Sequence, residues 1–216
     1  MSKNASVVPA ILTDDPLALE KMLRQSESFT DYVQIDIMDG KFVPSQSITW
    51  EHISGLPIKL KWEAHLMVVH PEEYLDGFKQ AGAGKIVFHH EATASPQKVI
   101  SRIRSLELGA GLAINPETPV SAIASCVSEI DSVLLLTVTP GFYGSKFIPE
   151  VMDKVAELRH IRPEIEIGVD GGIKEGNIRE VASAGVDYVC VGSAVFLQPD
   201  PAASYRYLQS LIQQNQ

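Results

Sequence analysis

The chain has 216 residues, 45% of them hydrophobic and 21% charged, an ordinary balance for a globular protein and enough for one unit with a sizeable core. Its formal net charge of -9 argues against nucleic acid and anionic membrane as partners, because both would repel it on average. An anionic small molecule is not excluded, since backbone N–H groups and helix N-termini hold phosphate without a net positive field.

Along the chain, short β-branched runs alternate with amphipathic stretches. Residues 7–12 predict a first strand, and 14–28 a helix opening on Asp14, Asp15 and Pro16. A second strand, 32–36, precedes a weak helical stretch at 47–54. The third, 60–66, leads to a helix over 71–81, and the fourth, 85–89, to one over 95–106. The fifth, 110–114, leads to 119–127, and the sixth, 132–138, to 146–159. Strands at 166–169 and 188–191, followed by helices at 174–184 and 201–213, complete the series. These strands are apolar on both sides, as parallel strands covered on both faces are.

Cys126 and Cys190 lie in apolar runs and read as reduced core residues, which fits a cytoplasmic location. No signal-peptide pattern opens the chain, and no apolar run approaches the roughly 20 residues of a membrane span. With no linker or low-complexity tract, residues 1–216 read as a single domain.

Strands joined by helical crossovers form either an open doubly wound sheet or a closed barrel. Asp36, His65, His89, Asn115, Thr139, Asp170 and Gly192 each fall at or just beyond the C-terminal end of a different strand. A closed barrel brings those ends to one mouth, whereas an open sheet spreads them along a line. The expectation is a single (β/α)8 TIM barrel.

Period-2 alternation puts Gln34 and Asp36 on one inward face of the second strand, and Glu63 and His65 on one face of the third. Of His89 and His90 one must point inward, and His89 is the choice. Asp39 and Gly40 read as a turn, with Gly40 supplying a positive φ. Asp170 is placed to face Asp36 across the mouth. Gly171 and Gly172, with a helix starting near Lys174, allow close approach of backbone N–H groups, as do Gly192 and Ser193. The run from Thr139 to Lys146 forms another glycine-rich wall. Glycine turns in three consecutive βα loops point to a phosphate site.

In their order and spacing, "VPAIL", "IDIMDGKFVP", "EAHLMV", "INPETP", "VTPGFYGSKFIPEV", "VDGGI" and "VGSAVF" resemble the motifs of the ribulose-phosphate 3-epimerase family, from Val7 to Phe196. The resemblance implies a pentose phosphate pathway isomerase interconverting D-ribulose 5-phosphate and D-xylulose 5-phosphate at C3. Carried over position by position, it implies Asp36 and Asp170 as the acid/base pair. It implies Asp36, His65 and Asp170 as ligands of a divalent metal: zinc, manganese or iron. His65, Gly141, Phe142, Tyr143, Gly144, Gly171, Gly172, Gly192 and Ser193 then contact the sugar phosphate, with Met38 and Met67 as apolar wall. A homo-oligomer is also implied.

This chain departs from that pattern at four positions. Gln34 stands where the family has a histidine ligand, and glutamine is a poor zinc ligand beside imidazole or carboxylate. Ala10 replaces a serine, Leu136 a methionine and Tyr143 a glycine. Two alternatives therefore stand beside the pentose epimerase: an epimerase or isomerase of another ketose phosphate with weak or no metal dependence, and a non-catalytic sugar-phosphate binder.

Overall fold

The computed structural model describes residues 5–141 and 146–213. Its strands are β1 (Ser6–Ile11), β2 (Tyr32–Met38), β3 (Lys61–Met67), β4 (Lys85–His89), β5 (Gly109–Ile114), β6 (Ser132–Leu136), β7 (Glu166–Asp170) and β8 (Tyr188–Val191). They pair in sequence order, all parallel, and β1 also pairs with β8, which closes the barrel.

Alternation along each strand sorts the side chains into two sets. The outward set, with Ile11, Ile35, Leu66, Ile86, Leu112 and Val133, packs beneath the helices in one large apolar cluster. The inward set includes Val8, Ala10, Val87, Ala113, Leu134, Leu136, Tyr188 and Cys190. The N-terminal end of the interior is polar. Lys85 Nζ lies 3.0 Å from both Glu63 Oε2 and Glu166 Oε2, and Tyr32 OH donates to Glu63 Oε2 at 2.9 Å. Tyr188 fills the remaining width because Gly168 has no side chain: a Cβ there would sit 2.1 Å from Tyr188 Cζ.

The helices are α1 (Pro16–Ser26), α2 (Trp50–Ile53), α3 (Leu75–Gln80), α4 (Pro96–Ser105), α5 (Asp153–Ile161), α6 (Ile178–Ser183), α7 (Ser193–Phe196) and α8 (Pro201–Gln213). Asp15 caps α1 by accepting from Leu17 N. Several helices are shorter than their amphipathic patterns. The stretches expected as helix from 71 and from 146 contain 3-10 turns, Pro71–Glu73 and Pro149–Met152, each opening on a proline. The 119–127 stretch holds only a 3-10 turn, Val120–Ile123. The helix expected from Lys174 begins at Ile178, because Asn177 folds the chain into a turn first: its Oδ1 accepts from Lys174 N and its Nδ2 donates to Gly172 O. α7 has no counterpart among the expected helices. Among the described residues no helix is long and apolar enough to cross a membrane.

Candidate active site

Adjacent strands bring the polar residues together. In the β2–β3 register Gln34 pairs with Glu63 and Asp36 with His65, and in β7–β8 Asp170 pairs with Cys190. Inward alternation then gathers Gln34, Asp36, His65, Asp170 and Cys190 at one level beneath the C-terminal mouth. His65 Nδ1 lies 3.0 Å from Asp36 Oδ1 and 3.5 Å from Asp170 Oδ2. Gln34 Nε2 donates to Asp36 Oδ1 and to Asp170 Oδ2, at 2.8 Å each. His65 is fully buried, while the Asp170 side chain keeps 15% exposure to the cavity above it.

Electrostatics separate these groups. Burial, and then the negative charge of Asp36, push the Asp170 carboxyl up to about 7. For His65 burial acts downward, but the Asp36 hydrogen bond and charge, with Asp170 and Glu63, raise its pKa overall. Asp36, His65 and Asp170 each offer one ligand atom, all within 4.8 Å of one another, a cluster able to hold a metal ion.

Above the cluster opens a cavity of about 450 Å³. One side is apolar, with Met38, Met67, Leu136 and Val138, and the other carries Gly141, Gly171, Gly172, Gly192, Ser193 and Lys174. Gly171 (φ +114°) and Gly172 (φ +66°) need their missing side chains: a Cβ at Gly171 would meet Val138 Cγ2 at 2.5 Å. α7 begins directly after Gly192, and the first turn of any helix leaves N–H groups without intrahelical partners. With α6 starting at Ile178, α7 and the glycine turn itself, rather than a helix from Lys174, supply backbone donors on this side. Gly141 O accepts from Ser45 Oγ at 2.6 Å, tying the β2 and β6 loops across the rim.

Met38, Met67, Asp36, His65, Asp170, Gly141, Gly171, Gly172, Gly192 and Ser193 therefore line one cavity. Phe142, Tyr143 and Gly144 lie outside the described residues. His89 points inward, its Nε2 3.0 Å from His65 Nε2. Asp39 serves the turn, its Oδ1 accepting from Lys41 N and Phe42 N and its Oδ2 from Val69 N, and Gly40 has φ +73°. Three neighbours had no role in the sequence reading. Cys190 donates from Sγ to Gln34 Oε1 at 3.1 Å, the Phe42 ring packs at a tilt against His89, and Glu91 faces His89. Alternation along the eighth strand is the signal that could have pointed Cys190, read only as a core cysteine, inward; nothing in the sequence marks Phe42 or Glu91.

A closed (β/α)8 barrel with two carboxylates and a histidine under a glycine-lined mouth belongs to the class of barrel proteins built for acid/base chemistry at the strand ends. Comparison with known proteins narrows the class. The model of the "Ribulose-phosphate 3 epimerase family" matches residues 6–196. The chain is 39% identical to a ribulose-phosphate 3-epimerase of Synechocystis sp., covering 94% of this chain and 92% of the relative. For the Aquifex aeolicus enzyme of that name the identity is 37%, over 95% and 96% of the two chains. The chain belongs to the ribulose-phosphate 3-epimerase family. Among solved structures, 3-hexulose-6-phosphate synthase from Salmonella typhimurium superposes with a TM-score of 0.73 at 19% identity, over 98% of this chain and 100% of that one, a likeness of fold.

Proposed function

We propose that the protein interconverts D-ribulose 5-phosphate and D-xylulose 5-phosphate by two-base proton transfer at C3, with Asp36 and Asp170 as the catalytic pair. The observation that carries this reading is the placement of two carboxylates, each 2.8 Å from the same Gln34 nitrogen, at the base of the one cavity that the glycine turns enclose. Inverting C3 requires a proton to leave one face and another to arrive on the opposite face. With Asp170 raised to about 7, the pair holds a proton near neutral pH. In one direction ionised Asp36 takes the C3 proton, the electron pair moves into an enediolate, and the Asp170 carboxylic acid returns a proton to the other face. Asp36 is then protonated and Asp170 ionised, the starting state for the reverse direction. His65 holds Asp36 in place, and its raised pKa lets it carry positive charge beside the developing enediolate. Gly171, Gly172, Gly192 and Ser193 supply the backbone cradle for the phosphate, with Met38 and Met67 against the carbon chain.

The zinc, manganese or iron ion that the resemblance implies would fall to Asp36, His65 and Asp170 and would supply Lewis-acid stabilisation of the enediolate. The fourth residue does not fit that centre. Gln34 directs an N–H donor, not a lone pair, at the space among the three. Location in the cytoplasm and assembly as a homo-oligomer are carried by the sequence reading alone.

The test is incubation with ribulose 5-phosphate in D2O, followed by NMR at C3. Wild type incorporates deuterium as xylulose 5-phosphate forms. Asp170→Asn loses about 10²–10⁴-fold in xylulose 5-phosphate formation, as expected for removal of a general acid/base, while still binding the sugar phosphate and leaving Asp36 able to exchange the C3 proton on its own face. Undiminished xylulose 5-phosphate formation in that variant would take Asp170 out of the chemistry. Turnover of a hexulose phosphate with none of the pentulose would redirect the substrate assignment.

A further inference from the structure

Gln34 is wholly buried, and its amide is fully engaged. Nε2 donates one hydrogen to Asp36 Oδ1 and the other to Asp170 Oδ2, at 2.8 Å each, and lies 3.4 Å from His65 Nδ1. On the far side Oε1 accepts from Cys190 Sγ at 3.1 Å. One nitrogen thus caps the same triangle of atoms that an ion held by these residues would cap. A zinc ion would stand about 2.0–2.2 Å from each ligand atom, and on the side of the triangle turned to Gln34 an NH2 group already bonds to two of those atoms. Turning the amide over to offer Oε1 to an ion would set the NH2 against Cys190 Sγ, a weak acceptor. Without an ion, that orientation would point an oxygen at two carboxylates. Each wholly buried polar side-chain atom of the cluster already has a hydrogen-bond partner. Among the described residues, the buried side-chain atoms without a hydrogen bond are on Glu63, His89, His90, Asn115, Ser132 and Tyr188, and none is on Gln34, Asp36, His65 or Asp170.

We propose that the Gln34 carboxamide takes the place of a bound cation as the bridge between Asp36 and Asp170, and that the protein works without a stoichiometric divalent metal. The turnover part of this inference rests on the function proposed above; the metal-binding part does not. Gln34 is then a positioning residue. It touches neither face of the substrate carbon but keeps the two carboxyl groups within reach of it, the task a dication performs through attraction and an amide performs with two N–H donors.

The experiment uses the full chain, dialysed against a chelator, in two independent assays. In the first, zinc and manganese are titrated calorimetrically against wild type, Gln34→His and Gln34→Ala, each checked by circular dichroism and thermal melting for an unchanged fold. Wild type is expected to show no saturable site at one ion per chain, and Gln34→His to gain one. In the second, ribulose 5-phosphate turnover of wild type is expected to be unchanged by chelation and by added metal. Gln34→Ala is expected to lose about 10–100-fold, the usual effect of removing a group that orients site residues, and to recover part of it with manganese. Uptake of one ion per wild-type chain at micromolar or tighter affinity would overturn the proposal. So would loss of wild-type turnover on chelation with recovery on readdition, or a folded Gln34→His that binds no better than wild type. Absence of pentulose turnover under all conditions would sink the proposed function, and the titration would still decide the role of Gln34.

Discussion

His89 and Asp170 sit in one network and respond to acid in opposite directions. Packed against Phe42 with ring centroids 4.8 Å apart and the planes tilted by 51°, His89 is driven down to about 4, by burial first and by the neighbouring His65 charge, against the upward pull of Glu91. Its Nδ1 faces Glu91 Oε2 at 3.4 Å, a contact of opposite polarity rather than a hydrogen bond. A group whose pKa is lower in the folded state stabilises above its unfolded pKa, and that contribution fades as pH falls; for His89 the window runs from 6.5 down to about 4. Asp170, raised from 3.8 to about 7, contributes at low pH and loses that contribution as pH rises through about 7. Between pH 7 and 4.5 the two oppose each other. Urea midpoints of the wild type are therefore expected to change little over that range. Asp170→Asn should lose stability on acidification and His89→Gln should gain it; parallel curves for the three proteins would contradict the assignment. Asp36, His65 and Asp170 were legible in the sequence because alternation at strand ends fixes where they point. What Gln34 does was not, because its partners arrive from β7 and β8, more than a hundred residues along the chain, and its hydrogen bonds depend on a side-chain conformation that no periodicity encodes.

At the scale of elements, the strands were easier to read than the helices. The runs expected at 85–89 and 188–191 are β4 and β8 residue for residue, and the others differ by a residue or two at an end, since each strand is a short apolar run between turns. Helical periodicity, in contrast, continues through segments that prolines and side-chain turns divide, as at Pro149 and Asn177. α3 also carries a glycine that helix propensity would disfavour. Packing explains Gly77: a Cβ there would stand 2.6 Å from Trp50 Cδ2, with two more ring atoms at 2.7 Å, so α2 can lie against α3 only over a bare backbone. Alanine in a helix gains up to roughly 1 kcal/mol over glycine, yet overpacking against a rigid ring loses about 1–3 kcal/mol. Gly77→Ala is expected to lower the unfolding free energy in urea, and a stabilised variant would show that Trp50 moves aside freely.

Across the whole molecule, the barrel interior changes character from end to end, polar at the base, apolar in the middle and ionisable at the mouth. At the base the Tyr188 hydroxyl is buried without a hydrogen-bond partner among the described residues, while its ring lies 5.3 Å from Lys85 Nζ. A buried unsatisfied hydroxyl is a penalty of about 1–3 kcal/mol, so Tyr188→Phe should leave stability unchanged or raise it by about 1 kcal/mol. A clear loss would mean that a buried water serves this hydroxyl.

The pairing of β1 with β8 carries one more consequence, for how the chain comes to be folded. Ser6 meets Tyr188 and Pro9 meets Val191, so the seam is sewn by the two ends of the barrel sequence. During synthesis the first strand waits for nearly the whole polypeptide to emerge before its free edge is covered, and an exposed edge strand is a template for intermolecular pairing. A ribosome stalled before β8 would therefore release not a smaller working protein but an open sheet prone to join its neighbours.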